Sequence, residues 1–97
     1  MSESIIKGNR KGVCFICGRF CPTECHHIFG GRNRKRADAD GLTVHLCHWC
    51  HNEPPSGVHF NRFNDIRLKQ RGQVAWMRHY DKTTDDFIKA YGRNYLD

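Results

Sequence analysis

Apolar residues are sparse along this chain, and their period changes from strand-like to helical as it proceeds. Glu24 to Phe29 alternates as a strand does. Leu42, Val44 and Leu46 face one way while Thr43 and His45 face the other, so 42–46 reads as a return strand. Between them, Gly30-Gly31 and Asp40-Gly41 bracket a run without periodicity, which reads as the long looped tip of a β-hairpin. Upstream, Val13 to Gly18 reads as a short strand entering a tight turn. After His51, Asn52 to Gly57 contains adjacent prolines and a glycine, which excludes regular helix or central strand. Then Phe60, Phe63, Ile66, Arg67, Leu68, Val74, Met77 and Arg78 recur at helical spacing, with Gly72 expected to kink or interrupt the helix. A last helix is expected from Thr83, where Thr83-x-x-Asp86 forms a capping pattern, Phe87, Ile88 and Tyr91 supply anchors and Gly92 a stop.

Residues 1–12 offer only Ile5 and Ile6 as large aliphatic side chains near the terminus and read as a flexible basic arm, ahead of a single domain over 13–97. The fold class expected is small α+β. At 97 residues, 38% hydrophobic and a mean hydropathy of -0.74, the core is modest and a staple is expected. The N-terminus lacks a secretory apolar region and no stretch reaches membrane-spanning length, so a cytoplasmic protein with reduced thiols and no membrane partner is expected.

That context turns the 6 cysteines toward metal. Cys14-x-x-Cys17 and Cys47-x-x-Cys50 are two identically spaced pairs, one at each end of the hairpin. Each can present two thiolates to one tetrahedral ion, so a structural zinc knuckle is expected. Cys21 and Cys25 read as non-ligand thiols, with Cys25 packed inward on its strand.

Charge adds a partner. The formal excess of +6 falls entirely in the first 36 residues, where Lys7, Arg10, Lys11, Arg19, Arg32, Arg34, Lys35 and Arg36 face only Glu3 and Glu24. A polyanion is drawn to that half, and Arg32, Arg34, Lys35 and Arg36 read as contacts for its anionic groups.

Cys14-x-x-Cys17, then His26-His27-Ile28, then Gly41-Leu42 leading into Leu46-Cys47-x-x-Cys50-His51, resembles the HNH, or ββα-metal, endonuclease family. The form His26-His27-Ile28-Phe29-Gly30-Gly31 with a later Gly57-Val58-His59 is similar to small phage and prophage members, and the resemblance spans about Val13 to Gln73. It implies a ββα-metal motif with additional C-terminal helices, in a bacterial or phage-infected cell. Neighbours on a strand point to opposite faces, so His26 and His27 must divide two roles. By resemblance His26 is a metal ligand and His27 the general base; His51 matches the family's final histidine, and His59 is a second ligand candidate. The catalytic ion implied is Mg2+, Mn2+, Ni2+ or Zn2+, and the reaction is phosphodiester hydrolysis to 5′-phosphate and 3′-hydroxyl ends, nicking when the protein is monomeric. A homodimer or a larger phage or host partner would add specificity. The family's central Asn has no evident counterpart: Asn33 lies in the basic tip, and either Asp38 or Asp40 is placed to pin the loop from its far side. The alternative is a non-catalytic zinc-knuckle DNA-binding module. A ribosomal-type RNA-binding protein is disfavoured because Phe60, Phe63 and Trp76 read as inward-facing.

Overall fold

In a computed structural model, described over residues 3–96, the chain is a small mixed α+β protein with one two-stranded antiparallel sheet and four α-helices among the described residues. Strand β1 (Glu24–His27) is followed by a 3-10 turn (Gly31–Asn33), helix α1 (Arg34–Asp40) and strand β2 (Thr43–Leu46). A short helix α2 (His48–Asn52), a long helix α3 (Arg62–His79) and a final helix α4 (Thr84–Tyr91) complete the order. None of the described helices is long and apolar enough to cross a membrane.

The register pairs Glu24 with Leu46, Cys25 with His45, His26 with Val44 and His27 with Thr43. Paired residues share a face, so Glu24 and His26 lie with the core residues Val44 and Leu46, while Cys25 and His27 lie on the other face. Cys25 is therefore exposed rather than packed inward.

The expected hairpin loop is largely helical. Arg34–Asp40 contains good helix formers and buries only Ala37, an anchor too small to produce a periodic signal. Gly41 ends the helix at a φ of 79°, donating to the carbonyls of Ala37 and Asp38. A side chain there would also strike the Glu3 carbonyl, because the N-terminal segment runs directly across. Ile5 N–H donates to the Gly41 carbonyl (2.8 Å), Ser4 Oγ to the Thr43 carbonyl (2.6 Å), and His45 N–H to Asn9 Oδ1 (2.7 Å). With Ile6 buried in the core, residues 4–9 are docked rather than a free arm; Met1 and Ser2 lie outside the described residues. The strand expected over 13–18 is instead a set of turns, held by isolated bridges from Val13 to Arg10 and to Phe20.

Helix α3 starts at the Asn61 cap, whose side chain accepts from Asn64 N–H, and runs unbroken through Gly72. Gly72 marks a close approach rather than a kink: an added Cβ would sit 3.0 Å from Ile28 Cγ2 and 3.1 Å from Phe29 Cε2. That contact sets the helix's rotation, burying Leu68, Gly72, Gln73 and Trp76. At about 100° per residue Phe63 falls on the opposite side from Gly72. Phe63 is accordingly 68% exposed and Phe60, ahead of the helix, 61%, whereas Trp76 is buried as expected. Helix α4 has the anticipated capping box of Thr83 and Asp86, and brings Phe87 and Tyr91 against Phe29 and Trp76. The other anchor expected there, Ile88, stays 38% exposed.

Asp40 ties the hairpin to this aromatic cluster. Its Oδ2 accepts from Trp76 Nε1 (3.0 Å) and Tyr91 Oη (2.7 Å), and its carbonyl accepts from Tyr80 Oη (2.9 Å). Asn33 donates to the Tyr91 carbonyl (3.0 Å). Loop-pinning is thus divided between Asn33 and Asp40.

Candidate metal centre

Two clusters of potential ligands form. The first is Cys14, Cys17, Cys47 and Cys50, whose sulfurs all lie within 4.8 Å of one another, so the paired spacing does produce one site. Each pair makes the same turn: Cys17 N–H donates to Cys14 Sγ (3.5 Å) and Cys50 N–H to Cys47 Sγ (3.4 Å), with Cys47 also capping α2. Cys17 Sγ and Cys47 Sγ stand 3.8 Å apart. The edge of a tetrahedron with ligand bonds of about 2.3 Å is about 3.8 Å, so the quartet fits a tetrahedral thiolate site and is consistent with a structural metal. Burial raises the Cys14 thiol, but backbone amides including those of Cys17 and Cys47 outweigh it and bring it down to about 6. Cys50 is driven far up, by burial and then by the neighbouring sulfurs. Negative charge cannot accumulate on the quartet without a cation to share it. Cys21 and Cys25 lie outside the cluster.

The second cluster is His26, His51 and His59, with candidate ligand nitrogens likewise within 4.8 Å. β1 supplies His26, α2 supplies His51, and the turn before α3 supplies His59. The ring centroids are 5.0 Å (His26–His51), 5.2 Å (His26–His59) and 4.7 Å (His51–His59) apart. Backbone bonds from Val58 N–H to the Cys50 carbonyl (2.8 Å) and from His59 N–H to the His51 carbonyl (3.3 Å) hold the turn against α2.

His26 Nε2 is buried with no hydrogen-bond partner, an arrangement that ordinarily costs about 1–3 kcal/mol. Burial, followed by the nearby His51 and His59, lowers its pKa to about 3, so the ring is neutral and that nitrogen can carry a free lone pair. His51 Nδ1–H donates to Glu24 Oε1 (2.7 Å), which turns Nε2 toward His59 Nε2, 3.0 Å away. Glu24 also accepts from Asn52 Nδ2 (3.2 Å), and its second oxygen lies 3.5 Å from His48 Nδ1. The hydrogen bond from His51, then that from His48, holds the Glu24 carboxyl below its ordinary range. A carboxylate behind an imidazole is the usual means of fixing a ligand's tautomer. Glu24 carries no motif of its own in the sequence, although its i, i+2 relation to His26 places both on one strand face.

His27 lies outside this trio, on the opposite strand face, as expected of adjacent strand residues. Its Nε2–H donates to Asp38 Oδ1 (3.1 Å), so the two aspartates have separate roles, Asp38 holding His27 and Asp40 pinning the hairpin. Arg32, Arg34, Lys35 and Arg36 are all exposed on the 3-10 turn and α1. His45, on the same face as His27, faces Thr23 Oγ1 at 3.2 Å. No protein-family model matches this chain, nor does any curated protein or solved structure.

Proposed function

We propose that the chain is a metal-dependent DNA endonuclease of the ββα-metal type, with a structural zinc ion on Cys14, Cys17, Cys47 and Cys50 and a second divalent ion on His26, His51 and His59. The observation that carries the reading is the buried, unpartnered His26 Nε2 beside two converging imidazoles, one of them oriented by a carboxylate. Buried side-chain nitrogens in structural roles are in the large majority hydrogen-bonded, so an open lone pair here favours a ligand. The all-nitrogen donor set favours zinc or nickel over magnesium, which prefers oxygen.

DNA phosphates are drawn to Arg32, Arg34, Lys35 and Arg36, exposed on the 3-10 turn and on α1, the helix that also carries Asp38. Asp38 holds His27 by Nε2 and leaves Nδ1 to accept a proton from the attacking water, and the carboxylate stabilises the imidazolium that results. When bound at the histidine trio, the ion supplies Lewis-acid stabilisation of the negative charge that develops on the departing 3′ oxygen. Products with 5′-phosphate and 3′-hydroxyl ends follow, with nicking by a monomer.

The deciding experiment is a supercoiled-plasmid assay in which metal-stripped protein receives each divalent ion in turn, comparing wild type with His27→Ala. Ion-dependent nicking that is lost in the variant supports the reading. Equal binding by both proteins with no cleavage under any ion refutes it in favour of a non-catalytic zinc-knuckle DNA-binding module. Exposed Phe60 and Phe63 remove part of the objection to an RNA-binding reading, while Trp76 is buried, and that reading leaves the histidine cluster without a role.

A further inference from the structure

The outward face of α3 carries a line of cations that the linear charge count conceals. Arg67, Arg71 and Arg78 are exposed, and with Lys7 of the docked N-terminal segment they line a groove of about 720 Å³ floored by Ile5 and Val74. No acidic side chain lines it. Among the described residues the only lysine or arginine paired with a carboxylate is Lys69, with Asp65 (2.6 Å), so none of these four cations is neutralised by an ion pair. Arg67 stacks over Phe63 (5.5 Å) and Arg71 over Phe15 (5.1 Å), which presents the guanidinium groups alongside aromatic surface. A smaller depression, sharing Arg67 and Arg71, continues the groove toward Ile16 at the cysteine knuckle.

We infer that this groove binds the phosphodiester backbone of a single strand of DNA, separately from the basic surface of α1. The inference rests on the nuclease reading for the identity of the polyanion and adds a substrate class to it, DNA with an unpaired arm. Helical rise separates Arg67 from Arg71 by about 6 Å and Arg71 from Arg78 by about 10 Å, a stride that an extended strand can follow with successive phosphates. The docked segment bearing Ile5 and Lys7 walls one side of the helix, so α3 cannot enter a duplex groove as a reading helix would. A concave, cationic slot with an apolar floor suits a flexible strand, whose sugars and bases can pack on that floor, with half-buried Phe15 lining the adjoining depression.

The experiment measures anisotropy of a labelled single strand of about 20 nucleotides and of its duplex, without added divalent ion. Wild type is compared with the triple variant Arg67→Gln, Arg71→Gln, Arg78→Gln, whose fold is checked by circular dichroism. The expected result is at least about a tenfold loss of single-strand affinity, a salt dependence shallower by about 2 in log–log slope, and a smaller loss for the duplex. Unchanged single-strand affinity and slope would overturn the inference, as would an equal loss for duplex. Polyglutamate that binds wild type more tightly than the single strand does, and loses that binding in the variant, would also overturn it by marking the groove as a seat for an acidic protein segment. Plasmid nicking by the same preparations separates the two readings. Nicking with no groove dependence sinks only the groove, and strand binding with no nicking sinks only the nuclease.

Discussion

Glu24 should control how tightly the histidine trio holds the ion proposed for it. Replacing it with Gln preserves an oxygen that can accept from His51 Nδ1 at the present 2.7 Å, but removes the charge that strengthens that bond and raises the basicity of Nε2. Replacing it with Ala removes the acceptor, freeing the His51 ring to rotate and to exchange tautomers. Loss of such an outer partner typically weakens metal binding by about 10–100-fold, or about 1.4–2.7 kcal/mol. Glu24→Gln should fall at the lower end of that range and Glu24→Ala at the upper. Competition titration of zinc or nickel against a chromophoric chelator measures this directly. The sulfurs of the knuckle provide an internal control, because their stoichiometric metal should be unaffected. Equal affinity in all three proteins at the histidine site would show that His51 does not depend on Glu24 and would refute the argument.

Asp40→Ala leaves the indole N–H of Trp76 and the hydroxyl of Tyr91 without their shared acceptor in surroundings where those residues are 7% and 4% exposed. Denaturant unfolding should show a loss of about 2–4 kcal/mol, with Asp40→Asn losing less; a loss below that of a surface substitution would contradict the network. Gly72→Ala gains up to about 1 kcal/mol of helix propensity but overpacks Ile28 and Phe29, both 1% exposed and unable to retreat. A lower Tm is expected, and a higher one would mean that the helix–strand contact is looser than described. Burial and then the Asp40 hydrogen bond raise the Tyr91 pKa in the folded chain well above its ordinary 10.0. Its neutral form therefore contributes stability that is complete below that value and is lost as pH rises above it, so Tyr91→Phe should flatten the alkaline fall in Tm relative to wild type.

The two hairpin strands and the last helix were legible, as the strand expected over 13–18 was not, because alternation in 42–46 and the Thr83–Asp86 cap are local properties of the chain. The cysteine quartet was legible for a related reason: a repeated Cys-x-x-Cys makes the same amide-to-sulfur turn wherever it occurs. Strand geometry likewise separates His26 from His27 before any packing is known. Tertiary structure decided the rest. Helix α1 depends on one buried alanine, which leaves no period to detect, and the N-terminal segment docks because Ile6 and the backbone at Gly41 meet partners more than thirty residues away. The rotation of α3 is set by the absence of a side chain at Gly72, which overrides an apolar pattern that would have turned Phe63 inward. Helical spacing alone puts Arg67, Arg71 and Arg78 on one face, but only that rotation turns the face toward the groove walled by Ile5 and Lys7. Glu24 shows the limit most clearly. Its place on a strand face is local, but its bond to His51 exists only because the hairpin and α2 fold against each other.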